Sequence, residues 1–133
     1  MVARTFARSV GSLVALHAFV QEFCAEHGIE PDRSFDLDLV LEELFTNQVK
    51  YHASNREIEV ALAGDARQVT ITVTDHDVER FDPTSVPDTV DRRNDDLLSG
   101  GRGLRLVRAL TDELRYDYRE RTSRITAVKR WSA

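Results

Sequence analysis

Two polar side chains on one predicted helix are the residues of this sequence best suited to chemistry. Glu43 and Asn47 stand four residues apart within 37–52, LDLVLEELFTNQVKYH, so on a helix they lie one above the other on one face. A carboxylate and a carboxamide at the margin of a buried face suit a magnesium-and-phosphate site, because Mg²⁺ prefers oxygen ligands. The alternative is a solvated Glu43 with Asn47 bonded to nearby backbone, and this segment alone favours that simpler interpretation.

A third polar residue ends a predicted buried strand. Asp75 has the same parity as Val69, Ile71 and Val73, so it lies on the side of the strand that faces the core. Burying an unpaired charge is costly, which predicts a specific hydrogen-bonding partner for Asp75. A strand-end capping role is the alternative.

A glycine-rich stretch forms the last candidate site. Three of the six glycines fall within Gly100–Gly103, and Leu104, Val107 and Leu110 follow at helical spacing. Glycines that lead into a helix N-terminus favour an anion, because the free N–H groups and the helix dipole point at it. Alone the pattern is weak, since glycines also serve tight turns. The preceding segment, 84–101, has no helical or strand period, and so long a connection is usually a functional lid or a disordered loop.

The elements that must position these residues follow from hydrophobic periodicity. In chain order the pattern predicts a strand at 2–7, two helices at about 9–27 and 31–52, a strand pair at 58–73, the long connection, a third helix and a final strand pair at 114–131. This order favours an α+β fold, a two-layer sandwich in which helices cover one face of a mixed, mostly antiparallel sheet.

Composition places the chain among ordinary globular proteins. Its 133 residues, 41% hydrophobic and 31% charged, fit one domain with its own core. Cys24 is the one cysteine, which excludes an internal disulfide and a zinc site built on a cysteine cluster. The sequence has no run of membrane-spanning length and no hydrophobic signal segment, which predicts a cytoplasmic protein with no membrane contact.

The net charge of −5 argues against direct binding to nucleic acid. The charge is unevenly distributed, because residues 101–133 hold nine Lys or Arg and four Asp or Glu, a balance of +5 that leaves −10 for residues 1–100. A basic C-terminal third suits phosphates or an acidic protein, and an Arg-rich solvated sheet face is an equal alternative.

Three stretches of the chain together resemble the histidine-kinase-like (GHKL, Bergerat-fold) ATPases, and within them the short anti-sigma-factor serine kinases. They are EELFTNQVKYH (Glu42–His52), VTDHDVERFDP (Val73–Pro83) and GGRGLRLVRAL (Gly100–Leu110). The resemblance extends from Ser9 to Arg130, and FDP followed by an acidic, Pro-containing segment is typical of the short kinase branch.

The resemblance implies a role for each candidate residue. Asn47 would offer its side-chain oxygen to a Mg²⁺ ion that bridges the nucleotide phosphates. Asp75 would accept a hydrogen bond from the adenine amino group, and Glu43, at the place of the family's base, would take the proton from a serine hydroxyl. The other nucleotide contacts that it implies are Lys50, Phe81, Gly101, Arg102, Gly103 and Leu104.

The implied protein is a single ATPase domain over residues 1–133, with an ATP lid at about 84–102 and with ATP and Mg²⁺ as cofactors. Its implied function is that of an ATP-dependent protein serine kinase and anti-sigma factor. Such a protein phosphorylates a STAS-type anti-sigma antagonist in a partner-switching circuit and forms a homodimer through its sheet face.

The alternative is a module that sequesters a partner, with or without ATP, and transfers no phosphate. Asp77 favours it, because the family usually has Gly two residues after the adenine-binding Asp. Asp tolerates the positive φ that Gly adopts freely, yet it brings a second negative charge toward an anionic ligand. The presence of both Glu43 and Asn47 favours the kinase.

Overall fold

The computed structural model is a two-layer α+β sandwich. It describes residues 1–80 and 99–131, and within 99–103 it describes the backbone. A short 3-10 turn, Val10–Ser12, stands between the first strand and the first helix. In chain order the other elements are β1 (Val2–Phe6), α1 (Leu13–His27), α2 (Pro31–Tyr51), β2 (Ile58–Gly64), β3 (Gln68–His76), α3 (Ser99–Leu110), β4 (Glu113–Arg119) and β5 (Thr122–Arg130).

The five strands form one sheet in the order β1-β2-β3-β5-β4. The predicted fold class is confirmed, and the ladders among the described residues are all antiparallel rather than mixed. The reason lies in the α3 crossover. It carries the chain from β3 to a strand of the same direction, β4, but the β4–β5 hairpin then inserts β5 between them, so the two parallel strands never form a ladder.

One face of the sheet carries the core. In β2, buried Ile58, Val60 and Leu62 alternate with half-buried residues, as a strand with one covered face requires. The helices cover that face, which confirms the predicted layering, and the largest fully buried side chains come from both layers: Phe45, Leu37, Leu41, Leu44, Ile58, Leu62, Ile71, Leu104 and Ile125. Among the helices of residues 1–80 and 99–131, none has the length and apolar character needed to cross a membrane.

The helix ends follow local signals in the sequence. Gly28 ends α1 in the left-handed conformation, with φ of 66°, which glycine adopts at little cost. Pro31 opens α2, where its missing N–H would have no helical partner anyway. Ser9 does cap a helical segment, but its hydroxyl accepts a hydrogen bond from Gly11 N and so caps the 3-10 turn rather than α1 itself. Cys24 is buried in the apolar core.

The turn between β2 and β3 depends on one glycine. Gly64 has φ of 128°, and a Cβ added there would lie 2.0 Å from the carbonyl oxygen of Gln68. We expect Gly64→Ala to lower the free energy of unfolding by about 1–3 kcal/mol or more, because strain at positive φ adds to a clash with backbone. Urea titration of both proteins measures the change. Gly11→Ala is the matched control, since its Cβ would meet only the flexible Ser9 hydroxyl at 3.3 Å; an equal loss in both variants would contradict the prediction.

Candidate functional site

One face of α2 carries the predicted catalytic and metal-binding residues. Glu43, Asn47 and Tyr51 recur every fourth residue of this helix, so they share one face. Asn47 is 4% exposed, while Glu43 and Tyr51 are half-buried. The helix therefore holds a carboxylate and a carboxamide in a row at the edge of the core, as the spacing predicted.

A cleft of about 530 Å³ opens beside the C-terminal end of α2. Tyr51 and His52 belong to its wall, whereas Glu43 and Asn47, on the same face of α2 as Tyr51, do not line it. A cleft of this size is within the range of small-molecule sites. Its lining combines an aromatic ring with charges of both signs, from Tyr51, His52, Ala53, Glu79, Arg80 and Arg121.

The carboxylate of Asp75 is 0% exposed and contacts His52, a residue of the cleft wall. Arg8 Nη1 donates to Asp75 Oδ2 at 3.0 Å, and Arg8 Nη2 donates to Asp75 Oδ1. His52 Nδ1 lies 3.0 Å from Oδ2, so His52 contacts both the cleft and the carboxylate. The predicted specific partner of Asp75 therefore exists, and it consists of two side chains.

These contacts set the ionisation of Asp75. Burial alone would raise the pKa of Asp75, but the hydrogen bonds from His52 and Arg8 and their charges outweigh it and hold this pKa below its usual value. An ionised carboxylate can only accept hydrogen bonds, so His52 Nδ1 carries the proton in this contact. Asp75 is therefore ionised at neutral pH although its side chain is buried.

Arg8 is held in place by backbone groups as well as by Asp75. Its Nη1 also donates to the Gln48 carbonyl at 3.2 Å, and its Nη2 donates to the Arg56 carbonyl at 3.3 Å. The guanidinium thus joins the link after β1, the last turn of α2 and the entry to β2. Its side chain is 11% exposed, so this is a nearly buried ion pair.

Asp77 occupies the place where the resembling family usually has glycine, and its backbone has the conformation that explains this preference. Its φ is 58°, in the left-handed region that Asp enters more readily than most residues. Arg121 Nε donates to Asp77 Oδ1 at 3.0 Å, and both side chains are more than half exposed. The additional negative charge at the edge of the cleft is therefore balanced locally by Arg121.

The other predicted nucleotide contacts fall in different places. Lys50 is exposed on the last turn of α2. Leu104 is 1% exposed in the core, so its inclusion among the nucleotide contacts finds no support in its surroundings. The helix α3 begins at Ser99, so Gly101, Arg102 and Gly103 lie in its first turns. The side chain of Arg102 lies outside the described part of the structure. Phe81 and residues 84–98 of the predicted lid lie outside the described residues.

The oxygen donors of α2 suit magnesium bound together with phosphate. Within residues 1–80 and 99–131, no three His, Cys, Asp or Glu side chains converge to hold a metal. Magnesium needs few protein ligands when phosphates and waters complete its octahedron. Asn47 offers a side-chain oxygen of the type that this ion takes, so it fits a metal that arrives with a nucleotide.

The fold and these residues define a class of protein. The family described as histidine kinase-like ATPase domain matches residues 6–129. The chain belongs to this family. No curated protein sequence matches the chain.

Solved structures share the fold. The RsbU and RsbW domains of Rv1364c from Mycobacterium tuberculosis superpose with a TM-score of 0.68 at 20% identity, over 97% of this chain and 31% of that one. The SiaB–SiaC complex from Pseudomonas aeruginosa gives 0.68 at 17% identity, over 96% and 88%. The Acinetobacter baumannii histidine kinase AdeS gives 0.53 at 12% identity, over 98% and 68%. The chain thus spans about a third of the Rv1364c chain. At identities this low, the superpositions show a common fold and nothing finer.

Proposed function

We propose that the chain is an ATP-dependent protein serine kinase that also acts as an anti-sigma factor, with a STAS-type antagonist as its phosphorylation substrate. The observation that carries this proposal is the face of α2, where half-buried Glu43 and buried Asn47 share one side of the helix with Tyr51, a residue of the cleft wall. Membership in the histidine kinase-like ATPase domain family supports nucleotide binding at this face.

The residues of α2 divide the proposed chemistry between them. Asn47 would supply an oxygen to the magnesium ion that accompanies the phosphates. Glu43 would accept the proton of the attacking serine hydroxyl, as the general base of the transfer. Phosphoryl transfer depends mainly on positioning and charge neutralisation, to which a general base adds about 10²–10⁴-fold.

A protein partner is part of the proposal. One structural neighbour is a complex of SiaB with SiaC, and another carries RsbU and RsbW domains in one chain. These neighbours support a domain of this fold that works with other proteins. The partners proposed for this chain are a STAS-domain antagonist, a sigma factor and a second copy of the chain.

A second candidate is a module that sequesters its partner without transferring phosphate. The observation that favours it is Asp75, whose carboxylate is 0% exposed and bonded to Arg8 and His52. Both oxygens of this carboxylate already accept hydrogen bonds from protein donors, so its burial is explained without a nucleotide. Absence of ATP binding would exclude the kinase, and phosphorylation of a STAS-domain protein distinguishes the kinase from a module that binds ATP without transferring phosphate.

Asn47→Ala is expected to weaken ATP binding by roughly tenfold when Mg²⁺ is present and to leave it unchanged when Mg²⁺ is removed with EDTA, because one ligand of a charged group is lost. Isothermal titration calorimetry of wild type and variant under both conditions measures the effect. Asn55→Ala is the matched control, since Asn55 is an exposed asparagine beyond the end of α2.

Equal weakening with and without Mg²⁺ would show that Asn47 supports the fold rather than the metal. If wild-type protein binds ATP under neither condition, the kinase proposal fails and the sequestering module remains.

A further inference from the structure

The two oxygens of Asp75 are not equivalent. Oδ2 accepts hydrogen bonds from Arg8 Nη1 and from His52 Nδ1, each at 3.0 Å. Oδ1 accepts from Arg8 Nη2. Because Asp75 is 0% exposed, a ligand reaches Oδ1 only after surrounding groups have moved, and the guanidinium of Arg8 is bonded to this oxygen. Arg8 therefore already occupies a hydrogen-bonding position on each oxygen of Asp75, the carboxylate that the resemblance assigns to the nucleotide base.

Buried polar atoms near this ion pair are poorly satisfied. Among the residues that the structure describes, Arg8 Nε, Gln48 Oε1 and Ser123 Oγ are buried without a hydrogen-bond partner. Ser123 pairs with Asp75 in the β3–β5 ladder, and the Gln48 carbonyl accepts a hydrogen bond from Arg8. Native interiors rarely leave such atoms unpaired, so the surroundings of Arg8 contain donors and acceptors that a different arrangement would use.

We propose that Arg8 competes with the nucleotide base for Asp75 and thereby determines both the affinity and the base selectivity of the site. The proposal rests on the proposed function, because it concerns the same nucleotide site. The ligand class is a purine nucleotide with an exocyclic amino group. When Arg8 Nη2 leaves Oδ1, an N–H group of the ligand can replace the hydrogen bond that Oδ1 loses.

The geometry indicates how the exchange proceeds. Arg8 Nη2 leaves Oδ1 and keeps its bond to the Arg56 carbonyl, while His52 continues to hold Oδ2. The amino group then donates to Oδ1, so Asp75 keeps its full set of hydrogen bonds. A ligand with an oxygen at that place would set an acceptor against an ionised carboxylate and could not complete the exchange.

Arg8→Lys tests the competition. Lysine keeps the positive charge beside Asp75 but cannot make the two-pronged contact of a guanidinium. We expect this variant to bind ATP about tenfold more tightly than wild type, a change of the size of one hydrogen bond to a charged group. The affinity for inosine triphosphate, which has an oxygen in place of the amino group, should change little between wild type and Arg8→Lys. Arg4→Lys is the matched control, because Arg4 lies on β1 but pairs with exposed Glu22.

Each result has a defined meaning. Tighter ATP binding by Arg8→Lys than by wild type and Arg4→Lys supports the proposal. Equal and measurable ATP affinity in wild type and Arg8→Lys overturns it and leaves the kinase proposal intact. An equal gain for ATP and inosine triphosphate also overturns it, because Arg8 would then act on something other than the base. Absence of binding in all three proteins overturns both proposals.

A measurement on unmutated protein covers the case in which Arg8→Lys does not fold. Saturating ATP should shift the Nε–H resonance of Arg8 in a ¹H–¹⁵N spectrum, while that of Arg4 stays in place. If ATP binds and the Arg8 resonance does not move, the competition does not occur.

Discussion

Replacement of Glu43 by glutamine is expected to reduce phosphoryl transfer to a serine hydroxyl by about 10²–10⁴-fold and to leave ATP affinity unchanged. Glutamine keeps the size and hydrogen-bonding capacity of the side chain but cannot take up the proton. Glu43 lies on the half-buried margin of α2, where a loss of charge does not open a cavity. Phosphorylation of a STAS-domain protein with labelled ATP measures the rate, and calorimetry measures the affinity.

The neighbouring Glu42 provides the control for this experiment. It is an exposed glutamate on the same helix, so Glu42→Gln makes the same chemical change away from the proposed site. We expect Glu42→Gln to transfer phosphate at the wild-type rate. Wild-type rates in both variants would remove Glu43 from the mechanism.

Arg8→Met is expected to lower the free energy of unfolding by about 3–5 kcal/mol, because it leaves a buried carboxylate without its cation. The two side chains of this pair are 11% and 1% exposed. Arg4→Met, which breaks a pair with 51% and 64% exposed side chains, should cost only about 0–1 kcal/mol. Urea denaturation followed by circular dichroism measures both.

A double-mutant cycle tests whether the loss arises from the pair itself. Addition of Asp75→Leu to Arg8→Met removes the unpaired charge, so the double variant should recover much of the lost stability. If instead the two losses add, the side chains contribute independently and the buried-charge explanation is wrong.

The acid dependence of stability follows from the same pair. Because the pKa of Asp75 is lowered in the folded protein, the carboxylate contributes stability above its unfolded pKa of about 3.9, and this contribution disappears as the pH falls through the lower folded value. The difference in unfolding free energy between wild type and Asp75→Asn should therefore be constant near neutral pH and decline below about pH 4. A difference that grows on acidification would contradict the sign of this shift.

Much of the architecture was accessible from the sequence because it depends on local periodicity. The row that contains Val69, Ile71 and Val73 shows which face of β3 is covered, and the same parity placed Asp75 inside. The four-residue spacing of Glu43 and Asn47 placed both on one side of α2. These features need only the geometry of a strand or helix, which a short stretch of sequence contains.

The partners of Asp75 are different, because they depend on tertiary placement. Arg8 is 67 residues away along the chain and lies in the short link after β1, where no period marks it. His52 is 23 residues away, just beyond the end of α2. The need for a partner could be predicted from the cost of burial, but its identity required the sheet order that brings the end of β1 beside α2 and β3. The antiparallel character of the whole sheet likewise depended on β5 entering between β3 and β4.

The place of β1 in the sheet gives the Arg8 contact a further meaning. β1 is an edge strand that pairs only with β2 among the described strands. Arg8 lies two residues after the last residue of β1. Thermodynamic linkage is reciprocal. A ligand that separates Asp75 from Arg8 destabilises the pairing of β1, and a partner that stabilises β1 lowers the affinity for the ligand by the same factor. Hydrogen exchange along Val2–Phe6 would then report on a carboxylate at the centre of the molecule. The stability of edge strand β1 would then depend on whether a ligand is bound at Asp75.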